Sequence, residues 1–226
     1  MGYPPAYVAQ AAGVAPDKMV WMYLEVFADN PFGTNCWLLS QEGSDEAVVV
    51  DPGFSPERVH AMLKAAGKTP IAVLATHGHF DHVGSADVFC GDTLPLHIHE
   101  ADALALTDPE AWGAGWDTPP IPVKDVRTFV GGDVLNVAGF SLEVAHTPGH
   151  TPGSCCFIAG DFVFSGDLVF KGAIGRSDLP NSDPAAMDAS LRKFLTWPDP
   201  LDVYPGHGPV STVGKERITN PFLVRL

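Results

Sequence analysis

The sequence predicts an α/β protein in four layers, an αββα sandwich with two sheets face to face and helices outside. Strand-like apolar runs fall in two blocks along the chain, and each block is followed by stretches with helical spacing. Neither a linker nor a low-complexity segment separates the blocks. Hydrophobic residues make up 46% of the 226 positions and charged residues 18%, the balance of an ordinary globular protein with a large core. The expected organisation is a loosely held arm over residues 1–18, where Pro4, Pro5 and Pro16 stand among alanines, and a single domain over residues 19–226.

In the first block, strands are expected over 19–28, 35–40 and 47–50, with turns at Asn30-Pro31-Phe32-Gly33 and Glu42-Gly43-Ser44. The third strand runs into Asp51-Pro52-Gly53. Ser55 ahead of Pro56 and Glu57 reads as an N-cap with proline in the first turn. Val59, Met62, Leu63 and Ala66 then give an apolar helical face, and Gly67 ends it. An apolar run over 71–75 follows. Further on, strands are expected at 94–98, 126–130, 140–145, 154–159, 162–166 and 201–204. Helices are expected at about 84–90, 99–106 and 183–195, the last with Met187, Leu191, Phe194 and Leu195 at core spacing.

The formal net charge of −14 opposes attraction to nucleic acid, which depends on Lys and Arg neutralising phosphates. No apolar run is long enough to cross a bilayer, and the first residues lack the basic and apolar regions of a secretory signal. The expectation is a cytoplasmic protein without a nucleic-acid or membrane partner; nothing in the sequence sets an oligomeric state. Cys36, Cys90, Cys155 and Cys156 form no C-x-x-C pair and read as buried small hydrophobes.

The chemistry concentrates in His77-Gly78-His79-Phe80-Asp81-His82, which directly follows the 71–75 run. Three imidazoles and a carboxylate on one tight loop can converge on a single divalent cation, and nitrogen and oxygen donors of this kind suit zinc, iron or manganese. Three more polar residues sit at the ends of strand-like runs. His150 lies in Thr147-Pro148-Gly149-His150-Thr151-Pro152-Gly153, Asp167 ends Val163-Phe164-Ser165-Gly166-Asp167, and His207 lies in Tyr204-Pro205-Gly206-His207-Gly208.

These elements, in this order, resemble the metallo-β-lactamase superfamily, and the match runs from about Leu24 to the end of the chain. The resemblance implies that family's fold and two divalent metal ions, zinc foremost, with iron or manganese as alternatives. His77, His79 and His150 would hold the first ion, Asp81, His82 and His207 the second, and Asp167 would bridge them. A hydroxide between the ions would be the nucleophile, with Asp81 orienting it. In the family's Thr-Pro-Gly-His-Thr pattern the later histidine is the ligand, which makes His150 the ligand and His146 structural. His97 and His99 alternate on a strand-like run, so that one faces solvent and the other packs locally; His60 reads as a surface residue of a helix.

Within the superfamily, Asn30-Pro31-Phe32-Gly33-Thr34-Asn35-Cys36 and Phe170-Lys171-Gly172-Ala173-Ile174-Gly175-Arg176-Ser177-Asp178 look like the short, single-domain branch of the glyoxalase II-type hydrolases. That resemblance implies hydrolysis of a small-molecule thioester such as S-D-lactoylglutathione, with Arg176 and, more weakly, Lys171 contacting the substrate. Two other activities stand beside it: a persulfide dioxygenase using a single iron, and a lactonase or other ester hydrolase of the same superfamily.

Overall fold

The computed structural model describes residues 6–10, 20–108 and 122–226. Seven strands form the first sheet in sequence order: β1 (Ala6–Gln10), β2 (Val20–Phe27), β3 (Cys36–Gln41), β4 (Glu46–Val50), β5 (Thr69–Leu74), β6 (Leu96–His99) and β7 (Val126–Phe129). β1 to β4 pair antiparallel, and β4 to β7 pair parallel. The second sheet runs β15-β14-β11-β10-β9-β8, with β8 (Val134–Val137), β9 (Phe140–His146), β10 (Cys155–Ala159), β11 (Phe162–Gly166), β14 (Asp202–Pro205) and β15 (Ser211–Thr212). Between β11 and β14, the short strands β12 (Val169–Phe170) and β13 (Ala173–Ile174) pair with each other.

Alternation explains how the sheets stack. Leu24, Val26, Trp37, Leu39, Val48 and Val50 turn one way from the first sheet and meet Phe140, Leu142, Val144, Phe157, Phe162 and Phe164 from the second. The opposite face of the first sheet, with Leu38, Val49 and Val73, is covered by α1 (Pro56–Ala66) and by Phe89 of α3 (Ala86–Cys90), which follows the one-turn α2 (Phe80–Val83). The outer face of the second sheet is covered by Met187, Leu191 and Phe194 of α5 (Pro184–Phe194), which comes after α4 (Leu104–Thr107). Four layers result. Gly67 at φ 64° closes α1 in the left-handed conformation, and Asp183 caps α5 by accepting from the Ala185 and Ala186 amides.

The expected elements are present with boundaries shifted by a residue or two. The expected helix at 84–90 is α3, preceded by the unanticipated turn α2, and 99–106 divides into a 3₁₀ turn, Glu100–Asp102, and α4. β1, β8, β12, β13, β15 and α6 (Val213–Thr219) were not anticipated. Most are two to five residues long, too short for a periodic signal. Of the arm expected over 1–18, residues 6–10 form β1 at the edge of the first sheet and the rest lie outside the described residues. All four cysteines are buried and free, as expected. No helix among the described residues is long and apolar enough to cross a membrane.

Candidate metal centre

The polar residues singled out in the sequence converge at one edge of the sandwich, where strands of both sheets end. β5 delivers the loop from Thr76 to His82. The β9–β10 turn carries His150, Asp167 follows β11, and His207 follows β14. Cross-sheet contacts set this meeting: the Cys155 amide donates to the Thr76 carbonyl, and the Asn35 amide to the Gly206 carbonyl. The Asn35 side chain donates to the Pro205 and Gly208 carbonyls, and Thr34 bridges His207. Gly206 is obligatory, because a Cβ there would run into Asp167 Oδ1 and the His82 ring.

Three groups of donor atoms form, each within 4.8 Å: His77, His79 and His150; His77, His82 and Asp167; Asp81, His82 and His207. Asp167 faces both sides. Its Oδ1 lies 3.3 Å from His82 Nε2, and its Oδ2 lies 3.4 Å from His150 Nε2 and 3.5 Å from His207 Nε2. Asp81 Oδ2 is 3.2 Å from His207 Nε2 and accepts a 2.9 Å hydrogen bond from the Thr34 hydroxyl.

Each buried imidazole is turned by a partner on its far nitrogen. Thr76 Oγ1 donates to Asp51 Oδ2 and accepts from His77 Nδ1 at 3.1 Å, leaving His77 Nε2 to face the centre. His82 Nδ1 donates to Asp51 Oδ2 at 2.9 Å, and His150 Nδ1 donates to the Arg176 carbonyl at 2.7 Å. Such outer partners fix tautomer and ring plane in metal sites. Asp51 takes a positive φ of 53° to place its carboxylate among these donors. A second carboxylate, Asp102, is fully buried and ties two loops together. Its Oδ2 accepts from the Gly78 amide and the Thr151 hydroxyl, and its Oδ1 from the Gly153 amide.

The donor set fits divalent cations. His77 Nε2 and Asp167 Oδ1 are buried without a hydrogen-bond partner, an arrangement costly unless a cation satisfies them. His79 Nδ1 and His150 Nε2 face each other at 2.8 Å. Without a cation, charge is divided unevenly. Burial and the neighbouring imidazoles push His77 well down and His79 to about 3. Burial also works against protonation of His82 and His207, but Asp81 and Asp167 outweigh it, raising His82 strongly and His207 to about 9. Burial would lift Asp81 and Asp167, yet His82 and His207 hold both below the usual carboxylate range.

The other residues of interest fall elsewhere. His146 stacks on the buried His99 at 4.1 Å between centroids and bonds the Pro152 carbonyl, away from the donor groups. His97 is half-buried, and His60 is exposed against Phe89. Arg176 lies at the rim of the cavity of about 390 Å³ over the site, and Lys171 is exposed at the β12–β13 turn. Sequence reasoning missed Thr34, Asp51, Thr76 and Asp102. Asp51 left a trace as the Asp-Pro-Gly ending of a strand, and Thr34 as a member of the Asn30–Cys36 motif, without a role being read for either.

Two facing sheets flanked by helices, with a His/Asp centre at the strand ends, define a metallo-hydrolase architecture. The family model for the metallo-beta-lactamase superfamily matches residues 29–207, and the chain belongs to that superfamily. Hydroxyacylglutathione hydrolase GloC of Haemophilus influenzae is 32% identical over 89% of this chain and 98% of its own. A di-iron-bound structure of TTHA1623 is 40% identical with a TM-score of 0.74, over 88% of this chain and 99% of the other. The BLEG-1 B3 metallo-beta-lactamase is 34% identical with a TM-score of 0.81, over the same shares of the two chains.

Proposed function

We propose that this chain is a thioester hydrolase of glyoxalase II type, a single catalytic domain acting on a small-molecule thioester such as S-D-lactoylglutathione with two divalent metal ions, zinc foremost. The observation that carries the reading is the placement of Asp167, whose carboxylate faces both His150 and the His82–His207 pair. In this reading His77, His79 and His150 would hold one ion and Asp81, His82 and His207 the other, with Asp167 available to both. The similarity to GloC supports the thioester as substrate class.

When bound, the ions supply Lewis-acid polarisation of the substrate carbonyl and a lowered pKa for water. The remaining work belongs to the chain. Asp81, held by the Thr34 hydroxyl, orients the attacking water toward the acyl carbon. Water adds there and gives up its protons to solvent, the C–S bond breaks, and its electron pair leaves with sulfur, so that a carboxylate and a thiolate result. A thiol pKa near 8.5 makes thiolate a good leaving group, so no proton donor is required. Arg176, the cation at the rim, would meet the substrate beyond its reacting carbonyl only by turning its fork away from Asp178.

The test is hydrolysis of S-D-lactoylglutathione by freshly purified, metal-analysed protein, followed by thiol release. Metal-dependent turnover with about two metals per chain is expected. Two metals without thioester turnover would move the assignment to lactones and other esters. One iron, with oxygen consumed on a persulfide substrate, would replace it with the dioxygenase reading.

A further inference from the structure

Three phenylalanines from separate parts of the chain meet beside the metal centre. Phe32 follows β2, Phe54 follows β4, and Phe80 stands between His79 and Asp81. Their rings pack edge to face, with centroids 4.6 Å apart for Phe32–Phe80 and 5.9 Å for the other two pairs. Phe32 and Phe54 are nonetheless 45% and 46% exposed. Clustered exposure of large rings at the edge of a site is unusual for a structural role, because rings serving only packing are normally covered. The loop does not need the Phe32 ring to hold its shape. Asn30 Oδ1 accepts from the Phe32 and Thr34 amides, and Asn30 Nδ2 donates to the Thr34 carbonyl.

Phe80 carries this patch into the cavity. Phe170, packed against the His207 ring at 5.5 Å, lines the same cavity together with Ile174 and Leu179. Apolar side chains thus share the cavity wall with the His/Asp donors of the centre. Arg176 is the one Lys or Arg among the described residues lining the cavity, and its guanidinium forks onto Asp178 at 2.9 and 3.0 Å. Asp178 engages Nε and one terminal nitrogen of that fork in an exposed pair, and so competes for the donors that a carboxylate-bearing thiol would use. The net charge of −14 adds general repulsion toward such a thiol.

Resting on the thioesterase reading, we infer that Phe32, Phe54 and Phe80 form a subsite for an uncharged apolar group carried on the substrate sulfur. A small hydroxyacyl group lies against the His/Asp donors, and the thiol half extends over the rings. The preferred substrates are therefore thioesters of apolar, aryl-sized thiols rather than of glutathione, whose carboxylates outnumber its ammonium group.

Two D-lactoyl thioesters, one of benzyl mercaptan and one of glutathione, decide this with the metal-loaded protein. The benzyl ester is expected to show a kcat/KM at least about tenfold higher. In Phe32→Ala that ratio falls at least about fivefold, while Phe32→Leu retains most of it. A ratio favouring glutathione overturns the inference. So does an equal loss on both esters with reduced metal content, which would make the rings a brace for the ligand loop. Calorimetric binding of the corresponding non-hydrolysable thioethers separates the two levels of the argument. If neither ester is cleaved, the thioesterase reading fails, and the subsite stands or falls on whether the benzyl thioether binds more tightly than the glutathione one and loses that advantage in Phe32→Ala.

Discussion

His77, His79 and His150 differ from Asp81, His82 and His207 in what they hold before any cation arrives. The first group consists of imidazoles only, with His77 and His79 driven strongly toward the neutral form by burial and by the imidazoles of His150 and His82. The second pairs its imidazoles with carboxylates, which keep protons on His82 and His207. One side is a set of bare lone pairs, and the other is a set of ion pairs in which protons stand where a cation would sit. A pair of sites in one cavity need not fill with equal ease, and occupancy by one ion or two then depends on conditions as well as on ligand identity.

Asp167 is the residue common to both sides, so its removal tests whether they form one centre. Asp167→Ala is expected to lose at least one metal equivalent and to lower turnover by at least about a thousandfold. Metal analysis alongside thiol release reads both quantities. Full occupancy with normal turnover would show that the two groups act independently of this carboxylate.

Asp102 separates the groups. Its contacts are the Gly78 amide between His77 and His79, and Thr151 and Gly153 beside His150. None reaches Asp81, His82 or His207. Asp102→Asn keeps the shape but brings an amide nitrogen against an N–H donor whichever way it turns. The first group's metal affinity should fall by about 10- to 100-fold, the range for loss of an outer partner, with the second affected less. Competition with a chelator resolves the two affinities. Equal weakening of both would place Asp102 in the general support of the fold.

Within each group the sequence revealed two ligands more readily than the third. His77, His79, Asp81 and His82 lie within six positions after an apolar strand, and local spacing was enough to bring them forward. His150, Asp167 and His207 each stand alone, and their convergence depends on the register of β9, β10, β11 and β14 across the second sheet. Their order along the chain, matched to a family, supplied what spacing could not. The four-layer arrangement was legible because β2 to β5 and β9 to β11 are long enough to show a pattern. β12 and β13, two residues each, were not. Asp102 and Thr76 escaped for a different reason: a buried carboxylate or hydroxyl that serves backbone amides and ring nitrogens looks, in sequence, like any polar residue at the end of a strand.

The smallest expected effect concerns protons. His207 is raised from 6.5 to about 9 in the metal-free protein, and His82 is raised as well. Groups with raised folded-state values contribute stability that is complete below 6.5 and is lost as pH climbs through about 9. The metal-free protein should therefore melt at progressively lower temperature between pH 6.5 and 9.5. Over the same window His207 surrenders its proton, so the second group's metal affinity should rise, by up to about tenfold per pH unit for each proton displaced. His77 and His79 have no proton to release there, since His79 lies near 3 and His77 is also far below its ordinary value. Titrating metal into the protein at pH 6.5, 7.5 and 8.5 should then give one affinity that is nearly constant and one that increases. Two affinities rising in parallel would mean that the groups share their protons as well as Asp167, and the contrast between them would disappear.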